Sequence, residues 1–240
     1  YSLLKHLNKP EIKIITVEDP IEYQLEGILQ TQTNEKDDYT FSTALRSLLR
    51  QNPDIIMIGE IRDNETAKIA VQASLTGHLI LSTLHTNDAA SSVHRLLNME
   101  VDSDDLASSV NAFMAQRLLR KLCDCKKKVK IPPEAKEKIE KALKTISPKA
   151  GVEIPSTEYV YEPAGCEKCN HIGYKGRETI SEVLVIDKDI EKLISLGALS
   201  SEIKEKAIEN GMITMYQDGI LDVLEGKTTL EEVERMAKED

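Results

Sequence analysis

The 240 residues carry 31 Lys and Arg against 41 Asp and Glu, a net charge of −10, with 40% apolar residues and no Trp. So acidic a chain lacks the cationic surface needed to displace counterions from nucleic acid, which argues against a nucleic-acid partner. No run approaches the ~18–20 apolar residues of a membrane span, and no signal-peptide pattern opens the chain, so the expected location is the cytoplasm.

Residues 1–8 place Leu3, Leu4 and Leu7 at helical spacing with no capping residue ahead of them. They read as the interior of a longer helix. Residues 12–17 form a β-branched run that ends on acids, the pattern of a buried strand. Residues 41–51 repeat as a helix with Leu45, Leu48 and Leu49 on one side, and 54–59 read as a second buried strand. A helix over 65–76, a third strand over 79–84 and helices over 89–97 and 105–122 follow. Continuous apolar strands separated by helices predict a parallel sheet covered on both faces. Residues 123–177 change character, holding all four cysteines and much of the proline and lysine. Lys126-Lys127-Lys128 reads as a solvated loop. A short strand over 180–185 and helices over 189–196, 200–210, 215–224 and 229–238 close the sequence. The expected division is 1–122, 123–177 and 178–240.

Three motifs fall at the carboxyl ends of the three predicted strands, the edge at which open α/β sheets bind ligands. The first, Thr16-Val17-Glu18-Asp19-Pro20, puts carboxylates where they can polarise a water or hold a metal ion's water shell; a solvated Asp-Pro turn is the bland alternative. The second runs through Asn52-Pro53-Asp54 and an apolar strand to Gly59-Glu60-Ile61-Arg62-Asp63. Phosphoryl transfer needs positioned charge, which Glu60 and Arg62 could supply, although an exposed Glu-Arg pair contributes little to stability by itself. The third, Thr76-Gly77-His78 through His85-Thr86-Asn87-Asp88, flanks a strand with two histidines. Such a polar strand end can sense a γ-phosphate, while Asn87 or Asp88 could equally cap the next helix.

Taken in order, these segments resemble the aspartate box, Walker B segment and histidine box of the type II secretion and type IV pilus assembly ATPases. The run from 45–50 to Asp63, Ala115-Gln116-Arg117-Leu118, Gly173-Tyr174-Lys175-Gly176-Arg177 and Asp218-Gly219 extend the likeness. It covers residues 1 to about 122 and resumes at Cys166. The resemblance implies a RecA-like, P-loop NTPase core with a zinc-binding insertion and a C-terminal helical subdomain. It implies ATP and Mg²⁺ as cofactors, with Glu18 and Glu60 as acid–base and metal-organising groups and His85 directed at the γ-phosphate. His78 would shape the strand behind it, and Arg46, Arg50 and Arg62 would be candidates for charge stabilisation. It further implies a homo-hexamer that pushes on an inner-membrane platform protein alongside cytoplasmic assembly proteins, and so reaches the membrane only through partners. Another RecA-like motor, such as a conjugation ATPase or helicase, or a non-enzymatic zinc adaptor, are the alternatives.

The 240 residues contain no Gly-x-x-x-x-Gly-Lys-Ser/Thr. In the family this phosphate-cradling loop stands just before the segment that Tyr1 begins, so the chain by itself is expected to bind ATP weakly. Glu100 follows Met99 where the family often has glycine. The cysteines form two close pairs, Cys123-Asp124-Cys125 and Cys166-Glu167-Lys168-Cys169. Four thiolates so arranged fit a closed structural Zn²⁺ site; free thiols or a redox pair are the other readings. The family usually has two residues inside the first pair, where this chain has one.

Overall fold

The computed structural model describes residues 1–237, apart from the side chain of Glu35. Compactness groups the residues into two units of discontinuous stretches, rather than by segments taken in sequence order. The first holds 1–86, 91–111 and 186–200; the second holds 87–90, 112–185 and the chain from 201 onward.

The first unit opens with α1 (Ser2–Leu7), β1 (Ile14–Glu18) and β2 (Leu29–Gln32). α2 (Phe41–Leu49), β3 (Ile55–Ile58), α3 (Asn64–Leu75), β4 (Leu79–Ser82), α4 (Ala89–Asn98) and α5 (Ser103–Ser109) follow. The four strands make one parallel sheet in the order β2-β1-β3-β4. β1 is buried at every position, which is why its sequence is a continuous apolar run and not an alternating one. Successive side chains point to opposite faces. Ile14, Met57 and Leu81 therefore share one face, where Leu4 and Leu7 of α1 pack. Ile15, Val17, Ile56 and Ile58, all fully buried, share the other, where α2 meets β1 and α3 meets β4. Each such aliphatic side chain contributes on the order of 2 kcal/mol by leaving water.

Local chemistry sets the helix starts. Thr40 caps α2 reciprocally with Thr43, and Asp63 accepts from the Thr66 backbone at 2.8 Å to start α3. The start of α3 thereby turns the chain away from the sheet directly after Glu60. Glu100 adopts φ 60° beyond α4, a left-handed conformation that explains why glycine suits this position.

The second unit contains β5 (Ala112–Leu122), β6 (Lys127–Lys130), α6 (Pro133–Lys144), β7 (Tyr159–Glu162) and β8 (Tyr174–Val185). After α7 (Lys188–Ser195), which returns to pack on α5 in the first unit, come α8 (Ser200–Glu209), α9 (Met215–Glu225) and α10 (Leu230–Ala237). β5 pairs antiparallel with β8, and β6 with β7. α9 lies against β5, β7, β8, α6 and α10. At its crossing with α10, a Cβ on Gly219 would fall 2.7 Å from Val233 Cγ1, so only glycine fits without a shift.

Three expectations are corrected. Residues 112–122 are a strand, not the second half of a helix over 105–122; the helix stops at Ser109. Ala115, Leu118, Leu119 and Leu122 mimic helical spacing, and Leu122 is buried like Leu119 despite an odd separation because the pairing shifts register between Arg120 and Leu122. Leu118, which completes the imitation, is 56% exposed. β8 extends well ahead of the expected 180–185 through polar residues that only the pairing with β5 orders. Lys127 and Lys128, expected in a solvated loop, open strand β6, and the stretch between the cysteine pairs is ordered. It holds α6, opened by Pro133 at its first turn and anchored by Ile139, Ala142 and Leu143. Of the helix expected over 229–238, Lys238 lies outside the described residues.

Candidate active site and metal centre

β1, β3 and β4 are neighbours, so their carboxyl ends deliver Glu18, Glu60 and His85 to one edge of the first unit. The pairing continues past the strands. Gly59 N donates to Val17 O at 2.8 Å, Ile61 N to Thr83 O at 3.0 Å, and Thr83 Oγ1 to Gly59 O at 2.7 Å. Gly59 is closely approached here, since a Cβ would sit in tight contact 3.3 Å from Val17 O and in ordinary contact 3.5 Å from the Phe41 ring. That close approach sets Glu60 beside Glu18. Both line a cleft of about 330 Å³ together with Asp19, Ser82 and Thr83.

Glu60 is the hub of the edge. Arg62 Nη2 donates to its Oε1 at 2.5 Å, and His85 Nε2 donates to its Oε2 at 3.0 Å. Arg62 Nη1 also lies 3.5 Å from Asp19 Oδ2, linking the first and second motifs. The Arg62 hydrogen bond, helped by that from His85, holds the Glu60 carboxyl below the usual carboxylate range against the opposing effect of burial. Glu60 is therefore an anion at neutral pH, better suited to orienting water or a cation's hydration shell than to keeping a proton. Its side chain is 16% exposed, whereas that of His85 is 83% exposed. The imidazole thus stands where it can reach a ligand.

Glu18 is buried and held from below. Thr16 Oγ1 and Gln30 Nε2 donate to its Oε1, and the Tyr1 hydroxyl donates to its Oε2. Gln30 sits on β2, a polar edge strand without an apolar run to announce it, whereas Asp19 was one of the carboxylates of the first motif. The remaining expected residues lie apart from this network. Arg46 pairs with Glu65 at 2.7 Å, both side chains 56% exposed, and Arg50 contacts Ser47. His78 occupies the opposite end of β4, its Nδ1 3.0 Å from Ala73 O.

In the second unit, all four cysteine sulfurs lie within 4.8 Å of one another. The Sγ separations are 3.9 Å for Cys123–Cys166, 3.9 Å for Cys125–Cys169 and 3.8 Å for Cys166–Cys169. Tetrahedral Zn²⁺ with sulfur at ~2.3 Å requires sulfurs roughly 3.8 Å apart, so the residues fit that ion despite the tighter first pair. Cys123 N donates to Gly173 O at 2.9 Å, joining the end of β5 to the second pair. Gly173, at φ 79°, has no room for a Cβ beside Pro163 and donates its N–H to Cys169 Sγ at 3.3 Å. Burial raises the Cys169 thiol, but backbone N–H groups of Cys166 and Gly173 more than offset it and bring it down to about 6. One sulfur is thus prepared as a thiolate, the form that ligates metal.

These observations define an α/β protein with a parallel sheet, a carboxylate–histidine strand edge and a four-cysteine cluster. The chain belongs to the family described as type II/IV secretion system protein, whose model matches residues 1–235. It is 47% identical over 241 residues to a type II secretion system protein E of Aeromonas hydrophila, covering 100% of this chain and 46% of that protein. It is 46% identical over 234 residues to the type IV pilus assembly ATPase PilB of Thermus thermophilus, covering 97% of this chain and 25% of that one. The chain therefore spans about half or less of these relatives. Among solved structures, the pilus retraction motor PilT with bound ADP aligns at TM-score 0.68 and 27% identity, over 99% of this chain and 56% of that one. The ATPase DotB of Legionella pneumophila, at TM-score 0.65 and 19% identity, covers 98% of this chain and 54% of that one and shares the fold. No described helix is long and apolar enough to cross a membrane.

Proposed function

We propose that this chain is the catalytic portion of a ring-forming cytoplasmic ATPase, built on a RecA-like core, that drives addition of pilin or pseudopilin subunits. The observation that carries the reading is the single network at the sheet edge, in which Glu60 holds both Arg62 and His85 beside Glu18. In this reading ATP and Mg²⁺ occupy the cleft. Mg²⁺ supplies neutralisation of phosphate charge. Glu60 and Glu18 would hold it through its hydration shell and would orient the attacking water. His85 donates toward the terminal phosphate. Arg62, 54% exposed, can exchange a carboxylate for phosphate oxygens, a geometry that its planar fork suits. Arg46 and Arg50 stay available to a neighbouring subunit's nucleotide. Six copies close head to tail, and an inner-membrane platform protein receives the stroke.

Cys123, Cys125, Cys166 and Cys169 would hold Zn²⁺, which supplies folding energy to the second unit and takes no part in turnover. The deciding experiment is Glu60→Gln in the full-length protein. Loss of about a hundredfold or more in ATP turnover is expected, the scale of a lost charge-positioning group. Undiminished turnover would end the ATPase reading of this site.

A further inference from the structure

Glu18 is 4% exposed, and a buried carboxylate needs donors. Three side chains of the first unit supply them: Thr16 and Gln30 at Oε1, Tyr1 at Oε2. An ionised carboxylate offers about four acceptor positions, so these donors leave one, on Oε2, for the cleft that Glu18 lines.

Gln30 does more than donate. It is paired in register with Thr16 across β1 and β2, on the sheet face that Glu18 shares. Its amide also reaches the chain between the two strands. Oε1 accepts from Leu25 N at 2.6 Å, and Nε2 donates to Tyr23 O at 3.2 Å as well as to Glu18 Oε1 at 3.1 Å. A backbone N–H can only donate and a carbonyl only accept, so these two contacts decide which way round the amide lies. The nitrogen, and not the oxygen, is thereby turned toward Glu18. The Tyr1 hydroxyl is oriented in a similar way. It accepts from Glu22 N at 3.2 Å, which leaves its own hydrogen for Glu18. Burial, then the Glu18 hydrogen bond, raises the pKa of this hydroxyl, so it stays protonated and donates.

We propose that Gln30 is a positioning residue for Glu18. Its amide, set by the backbone of Tyr23 and Leu25, fixes the carboxylate so that the remaining acceptor position takes a single water in the cleft, with Tyr1 as the second support. The inference rests on the ATPase reading of the site.

The test separates the contact with Glu18 from the contact with the turn. In the full-length protein, Gln30→Met keeps the length of the side chain and removes its hydrogen bonds. It is expected to lower kcat about tenfold while KM for ATP stays within about threefold, since the loss falls on alignment and not on binding. Gln30→Glu is assayed at pH 8, where the added carboxyl is ionised. It keeps an acceptor for Leu25 N but sets a like charge against Glu18, so kcat falls at least as far. In the 240-residue chain, exchange of the Leu25 amide is unchanged in Gln30→Glu and faster in Gln30→Met. Tyr1→Phe, which removes only the hydroxyl, also lowers kcat and serves if the Gln30 variants do not fold. Gln32→Met removes the neighbouring glutamine's hold on Ile21 N, a 3.2 Å hydrogen bond, without touching Glu18, and keeps kcat within about twofold. A wild-type kcat in Gln30→Glu, or in both Gln30→Met and Tyr1→Phe, while Glu60→Gln abolishes turnover, overturns the inference and leaves the ATPase reading standing. A loss in Gln32→Met equal to that in Gln30→Met overturns it as well, because the effect would then belong to the turn.

Discussion

Glu232 of α10 offers a sharp test of what holds the second unit together. Its side chain is 2% exposed and accepts from Arg120 Nη2 at 2.6 Å, Arg120 N at 3.1 Å, Arg235 Nη2 at 2.7 Å and Arg235 Nε at 3.1 Å. Its carboxyl is held down from an ordinary 4.5 to about 2, chiefly by the hydrogen bond from Arg120 and then by that from Arg235, with burial opposing. At 1.36 kcal/mol per tenfold change in proton affinity, that drop corresponds to roughly 3 kcal/mol of folding stability. A carboxyl whose native value lies below its unfolded value stabilises the fold above the unfolded value and gives that up as pH falls through the native one. The contribution should therefore be complete above about pH 4.5, fade below it and vanish near pH 2. Urea unfolding of the 240-residue chain and of Glu232→Gln, followed by circular dichroism across this range, isolates it, because groups common to both cancel in the difference. A gap of about 3 kcal/mol is expected at pH 7 and a much smaller one at pH 3. The same gap at both pH values would mean that the substitution acts by packing or strain and that the charge reasoning is wrong.

Freshly purified protein should carry one equivalent of zinc by elemental analysis, with Cys169→Ser losing most of it and a chelator lowering the melting temperature of wild type but not of the variant. Removing the Arg62 guanidinium should release Glu60, so Arg62→Ala raises the Glu60 carboxyl toward its ordinary range in an NMR titration; an unmoved value would assign the depression to another group. Gly219→Ala pushes a methyl into Val233 and should cost about 1–3 kcal/mol, with Val233→Ala recovering part of the loss in the double variant; simple additivity would contradict the contact.

The parallel sheet was legible because β1 and β3 are buried on both faces, leaving unbroken runs such as Ile14-Ile15-Thr16-Val17 in the sequence. Thr40 and Asp63 cap the helices that follow them, a local signal that the sequence reading did not use. β2 was not legible: Leu29-Gln30-Thr31-Gln32 is an edge strand with no apolar period, ordered by its register with β1. β5 was misread because its partner lies far along the chain and its register shift counterfeits a helical spacing. At the site, motif order placed Glu18, Glu60 and His85 on neighbouring strand ends. It could not place Tyr1 or Gln30, whose roles come from side chains that meet only after the sheet forms. Glu182 was invisible for a related reason: a glutamate near the end of a strand carries no local mark of the Ala89 and Met215 backbone N–H groups that donate to it.

The pairing of β5 with β8 also bears on how the chain is born. During synthesis the first sheet can assemble early, since Thr16 meets Gln30 across a loop and Ile55 meets Leu79 across the single helix α3. Ala112, by contrast, waits for Val185, Cys123 for Cys166, and Arg120 for Glu232, 112 residues later. Contacts of such long sequence separation carry a larger loop-closure cost and form slowly. An emerging polypeptide would therefore expose Leu119, fully buried in the finished fold, and the first thiol pair until their partners are made, so this half of the molecule is the last to mature.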